Sequence, residues 1–421
     1  MSRILITSWG SYGDVYPYVG LALALEGRGH RVALAMPEFY RPLVERLGFA
    51  FHPVGPFIDP TDHATIARLM DPVKGTEALV SGLLIPSLRA DYAGLDAVAA
   101  SGIDLIVTHP ITFAGPIVAQ ARRIPWVSTV LAPISFFSAT DLPALPAAPR
   151  LVHLRRLGSW VGRATGWLAR RATAPWMEPV QSLRADAGLS RSPHPLFEGQ
   201  FSPTLTLAMF SKVLGLPQPD WPPRVVTTGF VFYNGPDPLD PLVEAFLAAG
   251  DPPIVFTLGS SAVGAAGSFY EESARAVARL GVRAVLLTGG FEQNRPRSGV
   301  SKDVLVVDSA PHQLLMPRAR AVVHQVGIGT TGQALRAGCP MLVVPYGHDQ
   351  PDNAFRVTTL GVARTVPPSA YRERRVAREL DLLLTDPTYR ARAAETAAIV
   401  RSEGGADAAA DAIEGALRSG G

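Results

Sequence analysis

A chain of 421 residues with 47% hydrophobic and 18% charged residues is long enough to bury two cores. Its formal net charge of +3 gives no global field that would draw nucleic acid, although arginine outnumbers lysine and lifts the pI to about 9.1. The single cysteine, Cys339, excludes an internal disulfide and a cysteine-based metal cluster; beside Pro340 and ahead of an expected strand, it is expected to be buried.

No basic region precedes a long apolar run at the N-terminus, and residues 4–9 read as a first strand. Gly10-Ser11-Tyr12-Gly13 follows, then a helix expected over 19–28 and a strand over 31–35. This opening is not a dinucleotide fingerprint, because Tyr12 and Asp14 put bulk and negative charge where a pyrophosphate would approach, and the glycine spacing is wrong. Further strands are expected over 104–107 and 126–131. Residues 124–140 are uncharged and largely apolar, but Pro125 and Pro133 interrupt them, so a soluble, cytoplasmic chain is expected rather than one with a spanning helix. Between 150 and 171 the pattern predicts a basic amphipathic helix with Arg155, Arg156, Arg163 and Arg170, Trp160 and Trp167, and no acidic residue. Two readings are open there: a peripheral contact with a membrane or lipid, or a solvated helix packing its Leu and Trp face on the domain.

Pro217, Pro219, Pro222, Pro223, Pro236, Pro238 and Pro241 mark an ordered linker. Beyond it, strands are expected over 254–258, 284–287, 304–307, 321–324 and 341–344, and 387–417 is Ala-rich and helical. Strands interleaved with helices imply parallel sheets with right-handed crossovers. The expectation is therefore an α/β protein of two Rossmann-like domains facing a central cleft. Their bounds are 1–215 and 251–395, with a linker over 216–250 and a terminal helix over 396–421.

The stretch 324–354 is the most informative. A short β-branched run ends at His324, and Gly327 and Gly329 then let the backbone pass close to a ligand. A helix starts at once with Thr330 in its first turn, so free N–H groups and the positive dipole end face whatever occupies the turn, which suits an anion. His324 can add a donor to a diphosphate oxygen, staying neutral or becoming charged as that oxygen demands. After the next strand, Asp349 and Gln350 can accept from and donate to adjacent sugar hydroxyls. Alternatively, Asp349 or Asp352 simply starts the following helix.

This segment resembles the donor-binding signature of GT-B glycosyltransferases, in the family of UDP-glycosyltransferases that includes antibiotic glycosyltransferases and rhamnosyltransferases. Residues 10–17 (GSYGDVYP) resemble its acceptor-side loop, residues 255–260 (VFTLGS) the opening of its second domain, and residues 310–313 (APHQ) the frame of its pyrimidine base. The resemblance implies an N-terminal acceptor domain, a C-terminal donor domain, and a last helix crossing back to the first domain. It implies transfer of a hexose from a UDP- or dTDP-sugar such as UDP-glucose to a hydroxyl of an apolar small molecule or lipid, with inversion.

On this resemblance, Ser260, His312, Gln313, His324, Gly327, Gly329, Thr330, Asp349 and Gln350 bind the donor, and Asp14 takes the acceptor proton, with His109 orienting it or sharing the proton. Asp14 as a helix N-cap and His109 as a pocket wall or cap remain open readings. Tyr12, Phe113, Phe136 and Phe137, with Trp9 and Tyr16, lie near strand ends where they can line an acceptor pocket; taken singly, each also reads as core. No cofactor and no metal are expected, because no Asp-x-Asp triplet is present and fixed dipoles can stabilise the leaving diphosphate. Val326 departs from the family's usual Gly, Gly332 stands near the place of a ribose-binding Glu, and Ser309 stands where plant members stack a Trp on the base. Uracil and thymine both remain open. A catalytically silent GT-B partner of another transferase is the alternative.

Overall fold

The computed structural model describes residues 1–59, 62–297 and 299–419. The first half forms a seven-stranded parallel sheet from β1 (Arg3–Thr7), β2 (Arg31–Met36), β3 (Ala50–Pro53), β4 (Leu105–Thr108), β5 (Trp126–Val130), β6 (Leu205–Ala208) and β7 (Val225–Thr227). Its spatial order is β3-β2-β1-β4-β5-β6-β7. The second half forms a six-stranded parallel sheet from β8 (Ile254–Thr257), β9 (Ala284–Leu287), β10 (Val304–Val307), β11 (Ala321–His324), β12 (Met341–Val343) and β13 (Ala363–Thr365). Its order, β10-β9-β8-β11-β12-β13, repeats the doubly wound pattern of the first.

Both faces of each sheet are covered, as parallel strands require. Ile4 and Ile6 pack into one core and Leu5, between them, into another. Val255 likewise faces away from Ile254 and Phe256. This period-two partition explains why the strands read as continuous apolar runs rather than as alternating ones.

Besides β3, β6 and β13, strands that the sequence reading did not expect, four elements differ from the sequence expectations. Helix α1 spans Tyr12–Gly27 and so begins seven residues early. Its start is set by Ser11, in extended conformation, and by Asp14 Oδ2, which accepts from Ser11 N–H at 2.8 Å and from Ser11 Oγ at 3.0 Å. Pro17 therefore lies inside the helix, where its missing donor leaves the Gly13 carbonyl without its helical partner. The segment 150–171 is not one helix: a 3-10 helix over Pro149–Leu157 ends at Gly158, with φ of 101°, and α2 (Ser159–Asp186) starts beyond it. The Pro-rich passage is more than a linker, since it supplies the edge strand β7, paired to β6 with Thr206 opposite Val225.

The second half carries α3 (Ile328–Ala337) and α4 (Gln350–Thr359), and the helical C-terminus is two helices, α5 (Pro387–Ser402) and α6 (Gly405–Ser419). The break falls at Glu403, whose carboxylate accepts from Ser211 Oγ and Lys212 N–H, both at 2.9 Å. Helix α6 returns to α1, where Arg28 pairs with Asp407, Asp411 and Glu414, and His30 Nε2 lies 3.1 Å from Glu414. Among the described residues no helix is long and apolar enough to cross a membrane.

Candidate active site

Each sheet has one point where the strand order reverses, and loops leaving that point on either side frame a crevice. In the first half the point lies between β1 and β4, with Thr7 in register with Thr108. In the second it lies between β8 and β11, with Thr257 in register with His324. This topology brings together residues nearly a hundred positions apart: Asp14 follows β1 and His109 follows β4.

Asp14 uses its two oxygens differently. Oδ2 holds the start of α1, while Oδ1 lies 3.8 Å from His109 Nε2. Asp14 is thus the third residue of α1 and not its N-cap. His109 is buried, with Tyr18 edge-on at 5.7 Å between ring centres, and its Nδ1 accepts from Ile111 N–H at 3.3 Å. A neutral ring with Nδ1 accepting carries its proton on Nε2, the nitrogen that faces Asp14. At 3.8 Å the pair is too far apart for a direct hydrogen bond and close enough to share one small group between them.

Across the crevice, His324 ends β11 with no exposed surface. Its Nδ1 accepts from Val326 N–H at 3.1 Å, and its Nε2 is buried with no partner. Burial, followed by the neighbouring His312, pushes the ring down to about 3. With no anion against it the ring is therefore a neutral donor. An orphaned buried N–H costs about 1–3 kcal/mol unless a ligand meets it.

The left-handed residue of the turn is Val326, with φ of 60°, not either glycine. A β-branched side chain there is strained, and the strain is held by Asn353, whose Nδ2 donates to the Val326 carbonyl at 3.1 Å and to Asp349 Oδ2 at 2.6 Å. Gly327 caps α3, leaving the N–H groups of Ile328, Gly329 and Thr330 free of helical partners, while Thr331 donates back to the Gly327 carbonyl. Gly329 is required for a different approach from the expected one. A Cβ there would lie 2.9 Å from Gly13 Cα, so the N-terminal ends of α1 and α3 meet glycine to glycine. Nearby, Tyr12 N–H donates to Ser260 Oγ at 3.1 Å, which leaves the Ser260 hydroxyl proton free.

Asp349 precedes α4 but makes no cap bond; its carboxyl is pushed up to about 7 by burial first and by the charge of Asp14 second. Gln350 is less available than expected. Its Oε1 accepts from Tyr346 N–H at 2.8 Å and Gly347 N–H at 3.4 Å, which leaves only the amide NH2 to donate. Asp352 also fails as a cap, binding Ala144 N–H and Arg356 instead. His312 is pushed down to about 4 by burial, and Gln313 donates to the Asn234 carbonyl of the Pro-rich passage.

The four acceptor-side aromatics are not brought together. Phe113 lines a cavity with His109 and Pro110, and a second one with Trp9. Phe136 is core, stacked on Trp221 at 4.0 Å between centres, and Phe137 packs on Phe197 at 4.4 Å. Tyr12 joins Tyr16, Phe39 and Tyr40 in a separate aromatic cluster. Sequence reasoning missed Asn353 and also Asp91, whose carboxyl lines the second cavity, accepts from Gly55 N–H at 2.7 Å and Ser87 Oγ at 2.8 Å, and is pushed up by burial. The spacing of Asp349 and Asn353, one helical turn apart, was the available signal for the first; Asp91 had none. Among the described residues no three His, Cys, Asp or Glu side chains converge as metal ligands.

Comparison with known proteins accords with this fold. Residues 282–413 match the family described as erythromycin biosynthesis protein CIII-like, C-terminal domain. The chain is 34% identical to O-mycaminosyltylonolide 6-deoxyallosyltransferase of Streptomyces fradiae, over 98% of this chain and 97% of that protein. It is 30% identical to the sterol 3-beta-glucosyltransferase UGT80A2 of Arabidopsis thaliana, over 91% of this chain and 61% of that longer protein. The fold superposes on the glycosyltransferase VinC, solved in complex with dTDP, with a TM-score of 0.71 at 22% identity over 99% of this chain and 100% of that one. Two doubly wound halves and full-length identity of this order lead to one conclusion: the chain belongs to the GT-B UDP-glycosyltransferase family and is a glycosyltransferase.

Proposed function

We propose that this glycosyltransferase is inverting and metal-independent, and moves a hexose from a dTDP- or UDP-sugar to a hydroxyl of an apolar small molecule or lipid. The observation that carries this reading is the partnerless, fully buried His324 Nε2–H beside the open N-terminus of α3, with Asp14 Oδ1 on the other side of the crevice. The diphosphate sits on the His324 donor, the free N–H groups and the Thr330 and Ser260 hydroxyls, which stabilise the charge that develops as it leaves. Asp349 and the Gln350 amide take the sugar hydroxyls, and His312 borders the base. Asp14 Oδ1 receives the acceptor proton while the acceptor oxygen attacks the anomeric carbon from the face opposite the diphosphate. Inversion follows from that geometry. His109, with its proton on Nε2 and 3.8 Å from Asp14 Oδ1, donates to the acceptor oxygen lying between them and so orients it toward the carboxylate.

The relatives support the substrate classes: one is named for transfer of a 6-deoxyallosyl group to O-mycaminosyltylonolide, another for transfer of glucose to sterols, and VinC was solved with dTDP. The test is incubation with dTDP- and UDP-hexoses and mixed apolar alcohols, with products detected by mass and the anomeric configuration read by NMR, with and without EDTA. Inverted product formed equally in EDTA is expected. Retained configuration, or loss of product in EDTA, would overturn the reading.

A further inference from the structure

The segment 150–171 packs on the domain by one face and leaves a different apolar face outside. Val152 and Val161 are buried, and Gly162 lies so close to the Ala139 backbone that a Cβ would sit 2.2 Å from its carbonyl oxygen. Pointing outward, Leu151, Leu154, Leu157 and Trp160 recur every third residue. In a 3-10 helix side chains three apart eclipse, so the leucines form one line. Trp160 Nε1 donates to the Leu157 carbonyl at 2.8 Å, which folds the indole over the Gly158 junction. One α-helical heptad further on lies Trp167, with Leu168 beside it. Leu157, Trp160, Trp167 and Leu168 expose 58–59% of their surface. The fold has already satisfied this segment's demand for burial, so the outer stripe is not a packing face. That removes the reading in which its Leu and Trp face packs on the domain.

Arg155, Arg156, Arg163 and Arg171 are exposed around the stripe, and no acidic residue occurs from 150 to 171. Trp and Leu on one face bordered by arginines match the interface of an anionic lipid bilayer, where indoles sit at headgroup level and guanidiniums meet lipid phosphates. A second copy of this chain is disfavoured as the occupant, because stacking the stripes would bring the arginine borders of both copies together. The segment also reaches the second half: Arg155 lies over Phe355, on the helix that follows Asp349, at 4.7 Å. We propose that this face docks on an anionic membrane surface, from which the enzyme draws an apolar acceptor. The supply role rests on the acceptor class proposed above, whereas the docking itself does not.

Vesicle sedimentation of the full chain separates the two, since it needs no sugar transfer. Phosphatidylcholine vesicles are compared with vesicles containing phosphatidylglycerol. Binding to the anionic vesicles only, weakened by about 0.5 M NaCl, is expected. The double variant Trp160→Ser and Trp167→Ser should bind at least about tenfold more weakly. The triple variant Arg155→Gln, Arg156→Gln and Arg163→Gln should lose on the order of a hundredfold. All substituted side chains are solvent-exposed, so unchanged melting and dTDP binding report intact folds. No anionic preference, binding that survives both sets of substitutions, or a self-association or capture by an acidic protein that the tryptophan changes abolish without any vesicle binding would overturn the proposal.

Discussion

Asp14 has a structural duty as well as its proposed chemical one, and the two can be separated. Asparagine keeps an oxygen that can accept from Ser11 N–H, so Asp14→Asn should preserve α1 while removing the base. Turnover is expected to fall on the order of 10²–10⁴-fold with melting temperature and dTDP affinity unchanged, measured by steady-state kinetics and titration. Asp349 allows a second test. Its folded-state value, about 7, is raised above that of an unfolded carboxylate, so the stability this group contributes is present below the unfolded value near 4 and lost as pH rises toward 7. Asp349→Asn, which can still accept from Asn353, should therefore gain in melting temperature relative to the wild type as pH rises across that window. A difference that does not change with pH would contradict the assignment. Much of the site was legible, because strand-end His, Gly-rich turn and Asp-Gln pair are local patterns. What was not legible depended on partners far away in sequence: that burial keeps His324 neutral, that Gln350 Oε1 is taken up by its own loop, and that Phe136 stacks on Trp221.

At the level of elements, the contact between α1 and α3 is asymmetric in a way that substitution can read. A Cβ on Gly329 meets Gly13 Cα at 2.9 Å, whereas one on Gly13 meets Gly329 N at an ordinary 3.5 Å. Gly329→Ala must push the two helix ends apart and should lower turnover by about ten- to a hundredfold, while Gly13→Ala should be tolerated. Equal effects of the two would remove the contact from the account. Most of the central strands were legible because buried parallel strands announce themselves as short β-branched runs, whereas β3, β6, β7 and β13 were missed. Their ends and the helices were read less well, for three physical reasons. Asp14 reaches back to start α1 ahead of a proline, Gly158 breaks an otherwise continuous amphipathic pattern, and a three-residue edge strand is hidden among prolines. The mark that Val326 leaves on the turn was visible as a departure from the family pattern, but its left-handed backbone was not.

Across the whole molecule the halves are joined by buried charge as well as by the returning α6. Arg356 of α4 bonds Asp352 at 2.7 Å, Asp141 of the first half at 2.7 Å and the Leu214 carbonyl at 2.8 Å, while Asp352 also accepts from Ala144 N–H at 2.9 Å. Removing the cation alone strands a fully buried carboxylate, which burial already pushes upward despite its partner. Arg356→Ala should cost about 3–5 kcal/mol in denaturant unfolding. The same junction sets the distance between donor and acceptor halves, on which the central claim depends: that the second half holds the diphosphate at His324 and the first half supplies the base. Calorimetric titration of dTDP into the wild type, His324→Ala and Asp14→Asn tests it most directly. The account predicts about ten- to a hundredfold weaker binding for His324→Ala, from one lost hydrogen bond to a charged group, and wild-type binding for Asp14→Asn. Wild-type affinity in His324→Ala, or loss of binding in Asp14→Asn, would contradict it.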